Sequence, residues 1–169
     1  AACATSGGKG GAAAEAKTPP RLTWGSLKVI AATPSLHFSG QPDRAALVAA
    51  KAAGVSEVIS LRGAKEPEGY DEAKTAAEVG LRFRRVPVGK PALVPFDKKA
   101  FAAVSAAVEA AKGKKILLHC SSGNRVAAWY LAGLVAQGKL AKQKALEIGK
   151  GYGLTKSGAR VALERYLGL

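Results

Sequence analysis

From residue 36 onward, short apolar or alternating runs take turns with stretches of helical period. LHFSG (36–40) reads as a short strand ending in a turn, and Pro42 is placed to open a helix running through Val48 to Ala53, where Gly54 stops it. VSEVISL (55–61) is rich in β-branched residues and predicts a second strand, followed by the loop RGAKEPEGY. Asp71 is the natural cap of a helix over 71–79 that Gly80 ends, LRFRRVPV (81–88) predicts a third strand, and GKPALVPF a Pro-rich loop. FDKKAFAAVSAAVEAAKG places Phe101, Val104 and Val108 on one helical face. KKILLH is an apolar run of strand length, and the rest of the chain reads as three helices over 125–137, 140–149 and 156–167. This alternation predicts an α/β fold, a mostly parallel four- to five-stranded sheet flanked by helices.

The N-terminal stretch breaks the pattern. AACATSGGKGGAAAEAKTPP consists mainly of Ala, Gly, Ser and Thr and closes on Pro-Pro, so residues 1–22 are expected to form a flexible linker and residues 23–169 a single domain. Its opening, Ala1-Ala2-Cys3, resembles the tail of a bacterial lipoprotein signal, in which small residues precede a lipidated cysteine. That predicts an extracytoplasmic protein, periplasmic or on the cell envelope, with lipidated Cys3 as a membrane tether; a chance cysteine would leave a cytoplasmic location open. With 169 residues and 48% hydrophobic positions the chain can build one full core. No apolar run approaches the roughly 18 residues that a membrane-spanning helix needs.

Charge adds a preference for anions. Twenty-six Lys and Arg against twelve Asp and Glu give a net charge of +14, which suits phosphorylated substrates, nucleic acid or an acidic membrane face. No stretch interleaves Arg or Lys with aromatics as stacking platforms require, so no specific nucleic-acid role is expected. Two histidines without clustered carboxylates make no zinc site, GKGG at 8–11 lacks the context of a phosphate-binding loop, and no metal or cofactor is called for. His37, alone on a short strand, reads as structural.

The chemistry concentrates in ILLHCSSGNRVAAWY (116–130). In open α/β sheets ligands sit beyond the carboxyl ends of the strands, and Cys120 stands at such an end, just before a helix. The turn Ser121-Ser122-Gly123-Asn124 is small enough for successive amides to point inward as an anion cradle, and the helix starting near Arg125 adds its positive end. A thiol there is expected to be held as a thiolate, with Arg125 beside it to clamp an oxyanion through two parallel hydrogen bonds.

At these residues the chain resembles the protein tyrosine phosphatase superfamily, whose signature is His-Cys, five residues, then Arg. Here four residues separate Cys120 from Arg125, a six-residue loop of the length that rhodanese sulfurtransferases use. FSGQP (38–42), VISLR (58–62), RVPV (85–88) and HCSSGNR (119–125) together resemble the bacterial dual-specificity-phosphatase-like family related to the domain found beside β-lactamase-like hydrolases, over roughly residues 34–138. A shortened Cys–Arg loop is frequent in that family.

The resemblance implies a cysteine-dependent phosphatase acting on phosphate monoesters, carried by a protein or a small molecule. In it Cys120 attacks phosphorus and forms a phosphocysteine. The amides of Ser121, Ser122, Gly123, Asn124 and Arg125, with the Arg125 side chain, hold the equatorial oxygens. His119 steadies the loop, and Arg62 braces it or widens the anion site. The superfamily's general acid is an Asp soon after the strand ending PV, where this chain has Gly89-Lys90-Pro91. Asp97 is the nearest candidate, although a helix start also suits it as a cap. Glu66 and Glu68 read as solvated loop residues. Modest activity, better on substrates with good leaving groups, is therefore expected. A rhodanese-like sulfurtransferase or persulfide carrier and a non-catalytic phosphate-binding module are the alternatives.

Overall fold

A computed structural model describes residues 18–89 and 95–169. Six strands, β1 (Arg21–Trp24), β2 (Leu27–Ala31), β3 (Leu36–Ser39), β4 (Val55–Ser60), β5 (Arg82–Arg85) and β6 (Lys115–His119), form one sheet in the order β1-β2-β3-β6-β4-β5. The β3-β6-β4-β5 portion is parallel, whereas β1 and β2 add an antiparallel ribbon at the β3 edge.

That ribbon lies where the sequence pattern gave no strand. Gly25, at φ 60°, makes the turn between β1 and β2, and Trp24 is buried while Arg21, Leu22 and Thr23 are exposed. The expected linker therefore ends too late: Arg21 and Leu22 belong to β1, and the Pro20 carbonyl accepts a hydrogen bond from the Ala31 amide. Most of the expected linker, including Ala1-Ala2-Cys3, lies outside the described residues, as does the stretch 90–94 of the Pro-rich loop.

Helices α1 (Arg44–Ala52), α2 (Glu72–Glu78), α3 (Lys98–Ala110), α4 (Asn124–Ala136), α5 (Lys142–Ile148) and α6 (Ser157–Leu167) surround the sheet, with a 3₁₀ turn at Gly149–Tyr152. Asp43, Asp71 and Asp97 each accept a hydrogen bond from the amide three residues on, the side-chain cap that starts α1, α2 and α3. Pro42 thus precedes the cap of α1. One face of the sheet packs Leu47, Ala50, Val58, Ala76 and Leu117 beneath α1 and α2. The other packs Phe38, Ile59, Leu118, Val104, Val126 and Leu131 beneath α3 and α4. Among the described residues no helix is long and apolar enough to cross a membrane.

His37 is buried in β3 and stacks on Trp24 with ring centroids 5.3 Å apart. Burial, reinforced by the Lys115 ammonium, lowers its pKa from 6.5, so the fold favours the neutral ring. Its contribution to stability is complete above that ordinary value and is lost as pH falls through the lowered one. The urea midpoint is accordingly expected to drop between about pH 7 and pH 5, and H37F to show a flatter profile over that window; equal slopes would remove His37 as a cause.

Candidate active site

The carboxyl ends of the parallel strands converge on Cys120. The Cys120 amide donates to the Ser39 carbonyl at 3.4 Å and the Leu61 amide to the His119 carbonyl at 2.8 Å, which holds the cysteine between two neighbouring strand ends. Gly40 and Ser122 form an isolated antiparallel bridge, and the Gln41 amide donates to the Ser121 carbonyl at 3.3 Å. A Cβ on Gly40 would stand 3.1 Å from that same carbonyl. The FSGQP segment is therefore the wall against which the cysteine loop lies.

Gly123 sits at φ 81° and starts α4 without any side-chain cap, so the first amides of α4 stay available on the sulfur's side. The Gly123 amide itself donates to Cys120 Sγ at 3.1 Å. Cys120 is fully buried, so the residues covering it must shift before any substrate touches sulfur.

Arg125 is held end-on. Its Nη1 and Nη2 each donate to one oxygen of Glu66 at 2.8 Å. Nη1 also meets the carbonyls of Leu61 at 3.0 Å and Val88 at 2.9 Å, and Nη2 reaches Ser121 Oγ at 3.3 Å. Burial pulls the Arg125 pKa down, but Glu66 and the nearby Cys120 sulfur more than offset it, so the net direction is up. For Glu66 burial acts upward, yet hydrogen bonds from Arg125 and the Gly63 amide, with the charges of Arg125 and Arg62, leave it below the ordinary carboxylate range. Glu66 is thus a fixed anion, and it holds no proton to give a leaving group near neutral pH.

The expectation that Glu66 and Glu68 are solvated loop residues is corrected here. The Glu66 side chain is only 7% exposed, and Glu68 is paired with Arg85. The loop starting at Arg62 is drawn inward by these arginines, which solvation arguments could not foresee. Arg62 is a brace. Its guanidinium donates to Gln41 Oε1 and the Pro67 carbonyl and lies 3.4 Å from Glu66, which ties the loop after β4 to the segment after β3.

Asn124 uses its side chain away from the sulfur. Its Oδ1 accepts from the Thr155 and Lys156 amides at 2.7 and 2.8 Å, and its Nδ2 donates to Thr155 Oγ1 and Ser122 Oγ. That couples the cysteine loop to the start of α6, and leaves the backbone amide as the part of Asn124 that can face an anion. Asp97 is exposed, its Oδ1 caps α3, and no hydrogen bond or ion pair links it to Cys120 or Arg125. His119 is buried between the sheet and α2, with Nδ1 3.3 Å from its neighbour's carbonyl, Cys120 O, and Nε2 2.7 Å from Glu72 Oε1.

Two surface clefts lie elsewhere, near the amino ends of β3 and β6 and between α3 and α4, and neither includes a residue of the cysteine loop.

The same architecture occurs in solved structures. A DUF442 protein from Shewanella putrefaciens CN-32 aligns at 24% identity over 80% of this chain and 88% of its own, with a TM-score of 0.61. TpbA of P. aeruginosa aligns at 18% identity over 83% of each chain, with a TM-score of 0.65, and has also been crystallised with phosphotyrosine. The core catalytic domain of the PP-IP phosphatase SIW14 from S. cerevisiae, in complex with citrate, aligns at 12% identity over 78% of this chain and 80% of its own, with a TM-score of 0.60. The fold is that of the protein tyrosine phosphatase superfamily. No family model matches the sequence. A curated relative, the β-lactamase hydrolase-like protein of Agrobacterium fabrum (strain C58), is 26% identical over 143 residues, 82% of this chain. The chain spans about a third of that relative, 32% of its length.

Proposed function

We propose that this protein is a cysteine-dependent phosphatase that hydrolyses phosphate monoesters through a phosphocysteine on Cys120. The observation that carries the reading is the pairing of a sulfur that accepts the Gly123 amide at the start of α4 with an Arg125 guanidinium fixed by Glu66. In the first step the sulfur forms a bond to phosphorus as the P–O bond to the leaving group breaks. Arg125 Nη2, whose contact with Ser121 Oγ is the longest it makes, turns to an equatorial oxygen, and the loop amides take the others. Water then cleaves the S–P bond and restores the cysteine.

The departing oxygen has little help. Glu66 is held ionised, and the Asp97 carboxylate is occupied as a cap. Leaving groups that are stable as anions, such as aryl oxides, suit this site better than alkoxides. Lipidated Cys3 would place the domain at the cell envelope, facing phosphorylated proteins or small phosphate esters there.

The four-residue spacing between Cys120 and Arg125 favours one other reading, sulfur transfer to Cys120 to give a persulfide, which needs no acid. Paired assays separate the two. Aryl phosphate is expected to release phosphate, and C120S to abolish that release; thiosulfate with cyanide is expected to give no thiocyanate. Thiocyanate that depends on Cys120 without phosphate release would select the sulfurtransferase. Binding of phosphate or vanadate without turnover in either assay would leave a binding module.

A further inference from the structure

We infer that Glu72 is a positioning residue for Cys120 that acts through His119, an inference that rests on Cys120 being the reacting group. In register across β3, β6, β4 and β5 stand Ser39, His119, Ser60 and Arg85, a polar row at the strand ends on the face that α2 covers. Glu72 is the first residue of α2. Acidic residues in a helix's first turn ordinarily face water near the amide ends. Glu72 is instead fully buried, as is His119, and the two meet at 2.7 Å between Oε1 and Nε2. The approach is off the line of a regular hydrogen bond, and among the described residues neither Glu72 oxygen nor His119 Nε2 has a hydrogen-bond partner.

The other ring nitrogen faces the cysteine. Nδ1 lies 3.3 Å from the Cys120 carbonyl, which can only accept, so Nδ1 carries a proton in this arrangement. Nε2 is left as the ring atom that faces the Glu72 carboxyl. A carboxyl group this deep is costly unless a polar partner faces it, and the His119 ring, beside the cysteine backbone, is what faces it. The other groups around Glu72 are Tyr70, whose hydroxyl donates to the Pro42 carbonyl, and Arg85, which is held by Glu68. Burial and the Glu72 charge push Tyr70 up to about 12, so it stays neutral. His119 is therefore the group that meets Glu72 directly, and it is joined to the reacting cysteine through the Cys120 carbonyl.

The test reads the thiolate itself. The far-ultraviolet thiolate absorbance of wild type minus C120S is measured at about pH 6, where an ordinary thiol is protonated. E72Q, which keeps the shape and removes the charge, is expected to lower this signal at least about threefold and to regain it at about pH 10. H119N is expected to lower it as far, and E72Q/H119N no further than H119N alone. An unchanged signal in E72Q, or losses that add in the double variant, would overturn the inference; if E72Q does not fold, an unchanged signal in H119N does the same. Phosphate release from an aryl phosphate is recorded on the same samples. A signal that moves as expected in a protein releasing no phosphate overturns the phosphatase reading and leaves Glu72 in place.

Discussion

Arg125→Lys is expected to lower kcat/KM for an aryl phosphate about a thousandfold and to destabilise the fold by about 3 kcal/mol. The two effects have one origin. The guanidinium is a planar fork, and here it meets both Glu66 oxygens and the Leu61 and Val88 carbonyls while keeping a replaceable contact with Ser121. An ammonium offers three donors from one point and cannot span that set. Substitution leaves Glu66 with Arg62 at 3.4 Å as its remaining guanidinium, and the ammonium that replaces the fork cannot reach both Glu66 oxygens and the two carbonyls that lay against Nη1. Steady-state kinetics with urea denaturation of the same variant checks both. C120S removes the sulfur while leaving Glu66 and the two carbonyls on Arg125, and is expected to unfold close to wild type. A lysine variant as stable as C120S would mean that the Glu66 contact adds nothing to folding.

The clamp also has a pH signature. Because Glu66 titrates below the ordinary carboxylate range, its stabilising contact is complete above that range and is lost as pH falls through the lowered value. Protonation of Glu66 therefore does not limit the site near neutral pH, which is consistent with its role as an anchor and argues against its serving as the acid.

What could be read from the sequence is what lies close together in it. The strand ending at His119, the turn through Gly123 and the helix from Asn124 are contiguous, so the placing of Cys120 at a strand end, before a glycine turn and beside Arg125, was legible from spacing and turn chemistry. The groups that hold them come from elsewhere. Glu66 lies 59 positions before Arg125, and four residues after Arg62 it looks like an ordinary exposed pair. Glu72, next to a helix cap, looks like a dipole partner in water. Only the tertiary packing turns these two carboxylates inward. The β1–β2 ribbon escaped for a different reason: its strands are short, three residues of β1 are exposed, and Pro19-Pro20 just before it reads as linker. Asp97 shows the converse limit, since its cap role and a catalytic role share one sequence signature and the structure records the cap.

Gly89→Ala is expected to lower kcat/KM about a hundredfold and to cost about 1 to 2 kcal/mol of stability. Gly89 lies at φ 92°, a conformation in which a side chain is strained, and an added Cβ would stand 2.6 Å from Arg125 Cδ. The stem of Arg125 cannot swing aside cheaply, because Glu66 and the Leu61 and Val88 carbonyls fix its far end. The methyl must therefore either tilt the guanidinium away from Cys120 or push the Val88 carbonyl off it. Gly113 supplies the control. It has a similar φ of 82°, with nothing within 4 Å of an added Cβ, so G113A is expected to carry the backbone cost alone and to keep full activity. The comparison isolates the Arg125 contact from the strain shared by both substitutions, and equal activities in G89A and G113A would show that the guanidinium's position over Gly89 is unimportant to turnover.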